Sequence, residues 1–157
     1  MGTELATPEL ARGPLVSWLD PVTDALVRDM ILTLAAHRAD LLAVILYGSV
    51  ARRAERPLDD SDPSDVDLLL VFDKDDMHLS VNEGEDIFHT LGTARDRHLD
   101  APREVQVMFA SRTLDEWDPT FVENVAWDGL LLFARGPLPE QLAAVERRVP
   151  WTSDTRA

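Results

Sequence analysis

A chain of 157 residues with 45% hydrophobic side chains can bury a core as one domain. Its 29 acidic and 15 basic residues leave a net charge of -14, which speaks against polymeric nucleic acid as a partner, because such proteins need basic patches to displace counterions. No cysteine is present, which excludes disulfides, thiolate metal sites and cysteine nucleophiles; no apolar run approaches the ~18 residues of a membrane helix, and a start carrying Glu4, Pro8 and Glu9 lacks a signal peptide's basic and apolar regions, so a cytoplasmic location and no membrane partner are expected.

Residues 1–17 are mixed in composition and punctuated by proline, and read as a partly ordered lead-in to a single domain over 18–149. From Asp20, an N-cap residue followed by Pro21 and by Val22, Leu26, Met30 and Leu34 predicts a helix. Leu41 to Tyr47 is a branched, apolar run bounded by Asp40 and Gly48, the signal of a buried strand. Gly48 ends it, and Ser49 to Arg53 is expected to begin a short helix. Leu58 to Pro63 is an acidic loop, and a second strand starts at Asp65.

Ile87, Phe88, Leu91 and Ala94 recur at helical spacing, which predicts a helix over roughly 80–99. A strand over 103–109 follows. Thr113-Leu114-Asp115-Glu116 has the form of a capping box and predicts helix from there through Trp117, continued by Phe121, Val122, Val125 and Ala126. After Gly129, Leu130 to Ala134 is a short strand closed by Gly136-Pro137. A last helix, Pro139 to Arg148, carries Leu142, Val145 and Val149 on one side, and 150–157 reads as a frayed tail. This order predicts an α/β fold, a mixed sheet with helices packed against it.

The stretch from Leu46 to Phe72 carries the chemistry. The first amide groups of a helix starting at Ser49 have no partner inside it, and such groups bind anions. Glycine at 48 lets backbone approach a phosphate, and the Ser49 hydroxyl adds a donor. On the following strand Asp65 and Asp67 share one face, about 7 Å apart, with Leu69 and Val71 continuing it inward. Two such carboxylates can hold Mg²⁺, as one ion or two, with the remaining oxygen ligands coming from substrate phosphates. Phosphate-binding amides beside metal-binding carboxylates suit in-line nucleotidyl or phosphoryl transfer.

The residues LYGSVARR and SDVDLLLVF together resemble the signature of the DNA polymerase beta-like nucleotidyltransferase superfamily, in particular its minimal, stand-alone members. Gly48, Ser49, Asp65 and Asp67 match that pattern residue by residue. The resemblance implies a nucleotidyltransferase-like fold. It also implies that Gly48 and Ser49 bind the nucleotide, that Asp65 and Asp67 are catalytic and hold Mg²⁺, and that ATP or another nucleoside triphosphate is the substrate.

Three features depart from the pattern. Fifteen residues separate Ser49 from Asp65 where the family has about ten; the excess falls in the acidic loop, where closure entropy grows only with the logarithm of length. Arg53 replaces a family glycine and is expected at the surface. The family's third carboxylate, on a later strand, is expected at Gln106, whose amide brings no charge and cannot serve as a base near neutral pH. Glu104, two residues earlier on the same face, has the reach to substitute, although a surface ion pair with Arg103 or Arg95 is the plainer expectation.

Three functions follow. The first is transfer of a nucleoside monophosphate, AMP from ATP, to a hydroxyl of a separate acceptor; the resemblance implies that this acceptor can be a small helical HEPN-type protein paired with the chain as toxin and antitoxin. The second is a binding module of the same fold without turnover, motivated by Gln106. The third is an aminoglycoside-type small-molecule transferase acting as a homodimer. By the resemblance, the further acceptor-gripping domain of larger relatives is not expected in these residues. His37, His78, His89 and His98 lack metal-ligand spacing and are expected at the surface or in packing. Asp59, Asp60 and Asp62 are expected in a solvated loop, and the four tryptophans in packing.

Overall fold

The computed structural model describes residues 14–150. Its elements, in order, are α1 (Pro21–His37), β1 (Leu41–Tyr47), β2 (Val66–Phe72), α2 (Val81–Asp96), β3 (Val105–Ser111), α3 (Pro119–Asp128), β4 (Leu130–Ala134) and a 3₁₀ helix (Glu140–Arg147). The strands form one mixed sheet in the order β3-β2-β1-β4. β1 runs antiparallel to β2 and to β4, and β2 parallel to β3. The parallel pair is joined through α2, as a parallel pairing requires a crossover.

Both faces of this sheet are covered. On one, Val44, Leu46, Val66, Leu68, Leu70 and Phe72 meet Leu26, Met30, Ile31 and Leu34 of α1 and Ile87, Leu91 and Ala94 of α2. On the other, Ala43, Ile45, Leu69, Val71 and Leu131 meet Val122 and Val125 of α3 together with Leu138, Leu142 and Val145. Burial on both sides is the reason that β1 and β2 read as unbroken apolar runs and not as alternating ones.

Helix starts follow their caps. Asp20 accepts the Thr23 amide at 2.9 Å with Pro21 opening α1. Ser80 and Glu83 form a reciprocal capping box at α2. The lead-in and tail fall mostly outside the described residues, which include of the lead-in only 14–17; there Leu15 and Val16 are fully buried in the α1 side of the core.

Two predicted helices take another form. Thr113 to Trp117 is a turn: the Glu116 carboxylate, expected to cap its own helix, accepts instead from the Ser111 amide at 2.6 Å and hydroxyl at 2.9 Å. Leu114 then adopts a left-handed φ of 60°, and the true cap is Asp118, which accepts the Thr120 amide at 2.8 Å. The final helix is 3₁₀ and not α. Its two fully buried side chains, Leu142 and Val145, stand three apart, and the tighter winding places that pair on one line.

Candidate functional site

β1 ends and β2 begins at the same edge of the sheet, and their pairing sets Tyr47 opposite Asp67. One residue past Tyr47, Gly48 has φ +82°, and a Cβ built on it would collide with Asp67 Oδ2. Glycine is therefore needed twice at this position, for its backbone angle and for the space its side chain leaves. The outcome is that the main chain of the turn rests directly against the Asp67 carboxylate.

The expected short helix is a single turn. Arg52 N–H donates to Gly48 C=O at 3.2 Å and Ala54 N–H to Ser49 C=O at 2.8 Å, and Arg53, at φ 55°, ends it. A left-handed residue at this place terminates a helical turn. Among the described residues the amides of Ser49, Val50 and Ala51, and the Ser49 hydroxyl, donate to no protein acceptor. The unpaired amides expected of a helix start are thus found in a turn.

Asp67 lies in β2, and Asp65 immediately precedes that strand. Leu69 and Val71 continue the same face into the α3 side of the core, as the alternation predicts. Burial raises the Asp67 carboxyl above the ordinary aspartate range, the like charge of Asp65 raises it further, and Arg52 partly opposes both. Tyr47 is pushed up to about 12, by burial first and by Asp67 second. Arg52 also pairs with Asp128 at 3.8 Å, at the end of α3. Phe121 of α3 meets the Tyr47 ring edge-on with centroids 5.3 Å apart, which fixes the floor beside Asp67.

The register of β2 and β3 sets Gln106 directly beside Asp67. A glutamine therefore occupies the position where the sequence pattern led us to expect a third carboxylate. Glu104 is exposed and lies on the same face as Gln106, two residues before it; its backbone carbonyl accepts the Val66 amide at 2.8 Å. Its expected ion pairs are not formed: the Arg103 guanidinium is buried and donates to Ser64 C=O at 2.8 Å, and Arg95 donates to Val105 C=O at 2.9 Å. Among the described residues the Glu104 carboxylate has no partner.

The donor set fits a hard divalent cation. Two neighbouring carboxylates, one of them half-buried with its charge disfavoured, would be relieved by a bound cation. Among the described residues no three Asp, Glu, His or Cys side chains are placed to hold a metal ion together, so a cation here would draw its remaining ligands from water and from substrate oxygens, the usual manner of Mg²⁺. A cavity of about 1050 Å³ lies elsewhere, along the outer side of α3 between Trp117, Val122, Trp127 and Arg148, and includes neither aspartate. Chemistry and volume thus point to different places, and the open edge at Asp67 is the one with converging polar groups.

The other singled-out residues behave as packing and surface groups. His37 binds Asp86 at 2.8 Å and His98 binds Asp29 at 2.9 Å. Asp59, Asp60 and Asp62 are exposed, with Asp60 accepting the Asp62 amide and Arg56 reaching Asp62. Trp117 donates to Phe109 C=O at 2.8 Å, Trp127 is 82% exposed, and Trp151 lies outside the described residues. Sequence reasoning missed Tyr47, Arg52 and Asp128 as neighbours of the site. Arg52 carried a signal, a cation three residues after the Gly-Ser pair; Asp128 carried none.

No family model matches the chain, and no curated protein matches it in sequence. Solved structures with a similar course include a toxin-antitoxin protein crystallised with AMP-PNP, 16% identical, with 76% of this chain and 80% of that one covered and a TM-score of 0.45. A proposed nucleotidyltransferase of Sulfolobus solfataricus is 18% identical, with 73% and 87% covered and a TM-score of 0.41. A mutant of the toxin-antitoxin pair MntA-HpeT is 14% identical, with 75% and 79% covered and a TM-score of 0.43. At such values the likeness carries no argument about function, which rests on the site itself.

No described helix is long and apolar enough to cross a membrane.

Proposed function

We propose that the chain is a Mg²⁺-dependent nucleotidyltransferase that moves a nucleoside monophosphate, AMP from ATP, to a hydroxyl of a separate acceptor. One observation carries this reading: the Gly48 turn, with the unpaired amides of the part-exposed Ser49 and Ala51, abuts the carboxylate of Asp67. Candidate phosphate donors and candidate cation ligands therefore lie side by side, and few ligands other than a metal-bound polyphosphate need both.

In this reading the Ser49 hydroxyl and the amides of Ser49 and Ala51 hold the terminal phosphates, and Asp65 and Asp67 are the residues that would hold Mg²⁺. The ion, when bound, supplies charge neutralisation on the phosphate oxygens as displacement proceeds. The acceptor oxygen bonds to the α-phosphorus as the bond to the bridging oxygen breaks, pyrophosphate leaves, and the hydroxyl proton passes to a base. Glu104, free of ion pairs on the Asp67 face, is the candidate for that base.

A second reading has its own observation in favour. Gln106 beside Asp67 supplies neither charge nor proton affinity, so the same fold can bind Mg²⁺ and ATP without transfer. The test is incubation with α-labelled ATP, Mg²⁺ and two acceptor classes, a small helical HEPN-type protein and an aminoglycoside. Label on either acceptor, lost in Asp67→Asn, supports the enzyme; intact Mg²⁺·ATP binding with no label on any acceptor leaves the binding module. Transfer to the aminoglycoside alone would favour a small-molecule enzyme.

A further inference from the structure

The Gly48 turn is gripped from outside by a residue far away in sequence. Trp18 Nε1 donates to the carbonyl of Val50 at 2.7 Å. The same indole lies under the guanidinium of Arg53, 4.0 Å from ring centroid to Cζ, and Arg53 is the left-handed residue that ends the turn. Trp18 thus holds the turn at its middle and at its end.

Trp18 is itself fixed. Leu15 and Val16 are 0% and 1% exposed, and Leu19 7%. The Leu15 and Val16 amides donate to the two oxygens of Asp24 on α1, at 3.0 and 2.8 Å, and Leu19 N–H closes back on Val16 C=O at 3.0 Å. Residues 14–19 are therefore a strap sewn to α1, with the indole projecting from it onto the turn.

The consequence lies in a single peptide unit. The Val50 carbonyl and the Ala51 N–H belong to the same planar group and point in opposite directions. Within the turn the Val50 carbonyl also accepts the Arg53 N–H at 3.1 Å; the indole N–H adds a second, shorter bond from outside that steadies the direction of the unpaired Ala51 amide, and each hydrogen bond accepted by the carbonyl polarises that N–H toward stronger donation. We infer that Trp18 is a positioning residue that aims and polarises the Ala51 amide for a bound phosphate, so that the strap at 14–19 is part of the anion-binding device. The identity of the anion, a metal-bound polyphosphate, rests on the function proposed above; the grip on the turn does not.

The test uses Trp18→Phe, which keeps an aromatic ring against Arg53 and removes the donor. Hydrogen exchange is followed without nucleotide in the segment 48–54 and in α2 and β4, and the Kd for Mg²⁺·tripolyphosphate is measured beside the melting temperature. We expect exchange at Arg52 and Ala54 to quicken at least threefold, exchange in α2 and β4 to stay as in the parent, and tripolyphosphate binding to weaken about five- to tenfold. Arg53→Ala, which leaves the indole bond in place, should quicken the same amides by less, and serves should the phenylalanine variant fold poorly. Unchanged exchange at 48–54, or an equal rise throughout the chain, would overturn the positioning role. Parent protein that binds no Mg²⁺·tripolyphosphate would overturn the nucleotide reading, while the exchange data would still decide the grip of Trp18.

Discussion

Two partly buried aspartates sit in opposite surroundings. At the seam of α1 and α2, Asp29 receives Arg97 through both oxygens at 2.8 Å, His98 at 2.9 Å and the Thr33 hydroxyl at 2.8 Å, and these donors hold its carboxyl well below the usual range, Arg97 contributing most. At the β1–β2 edge, Asp67 faces Asp65, a glycine turn and a glutamine, and is raised. One carboxylate is satisfied by its own chain and does structural work. Among the described residues the other has no such donors and its charge is disfavoured, the pattern of a functional-site candidate.

Removing each charge should separate the two roles. Asp67→Asn is expected to lower Mg²⁺-dependent nucleotide binding or transfer by 100-fold or more while leaving the fold intact or raising its stability by up to about 1 kcal/mol at pH 7, since a half-buried, repelled charge is removed and solvent screening limits the gain. Calorimetric titration and thermal melting read the two effects. A smaller effect is expected from Gly48→Ala, whose methyl meets Asp67 at a positive φ: about 1–2 kcal/mol of stability and roughly tenfold in nucleotide affinity should be lost.

Asp29→Asn comes next, at about 1 kcal/mol of stability, with nucleotide affinity unchanged. The pH dependence separates the pair in sign. Because the folded protein depresses Asp29, its contribution is fully present above the unfolded value of ~3.9 and is lost as pH falls below it, so Asp29→Asn should flatten the acid limb of a stability curve. Asp67 is raised, so its charge opposes folding above its folded pKa and that penalty fades on acidification. Binding of Mg²⁺·ATP, which needs the charged form, should accordingly begin to weaken at a pH above ~3.9. The smallest effect expected is a few-fold rise in transfer for Gln106→Asp, read with labelled ATP.

Much of this was legible because it is local. The apolar runs of β1 and β2, the cap at Asp20 and the Gly-Ser and Asp-x-Asp pairs are written in neighbouring residues; strand alternation set Gln106 and Glu104 on one face, and the family resemblance related that face to Asp67. What failed was chosen by tertiary partners. Glu116 has the spacing of a capping box but finds the end of β3 instead, and the spacing of Leu142 and Val145 serves a 3₁₀ helix as well as an α-helix. The indole of Trp18 reaches Val50 across 32 positions, and no periodicity or motif records such a contact.

The central claim is that the Gly48 turn and the aspartates form one site for a metal-bound triphosphate. Titration of ATP into the parent protein and into Asp67→Asn, each with and without Mg²⁺, tests it most directly. Saturable binding that requires Mg²⁺ and disappears in Asp67→Asn is the predicted result; ATP binding of equal strength without Mg²⁺, or in the variant, would contradict it.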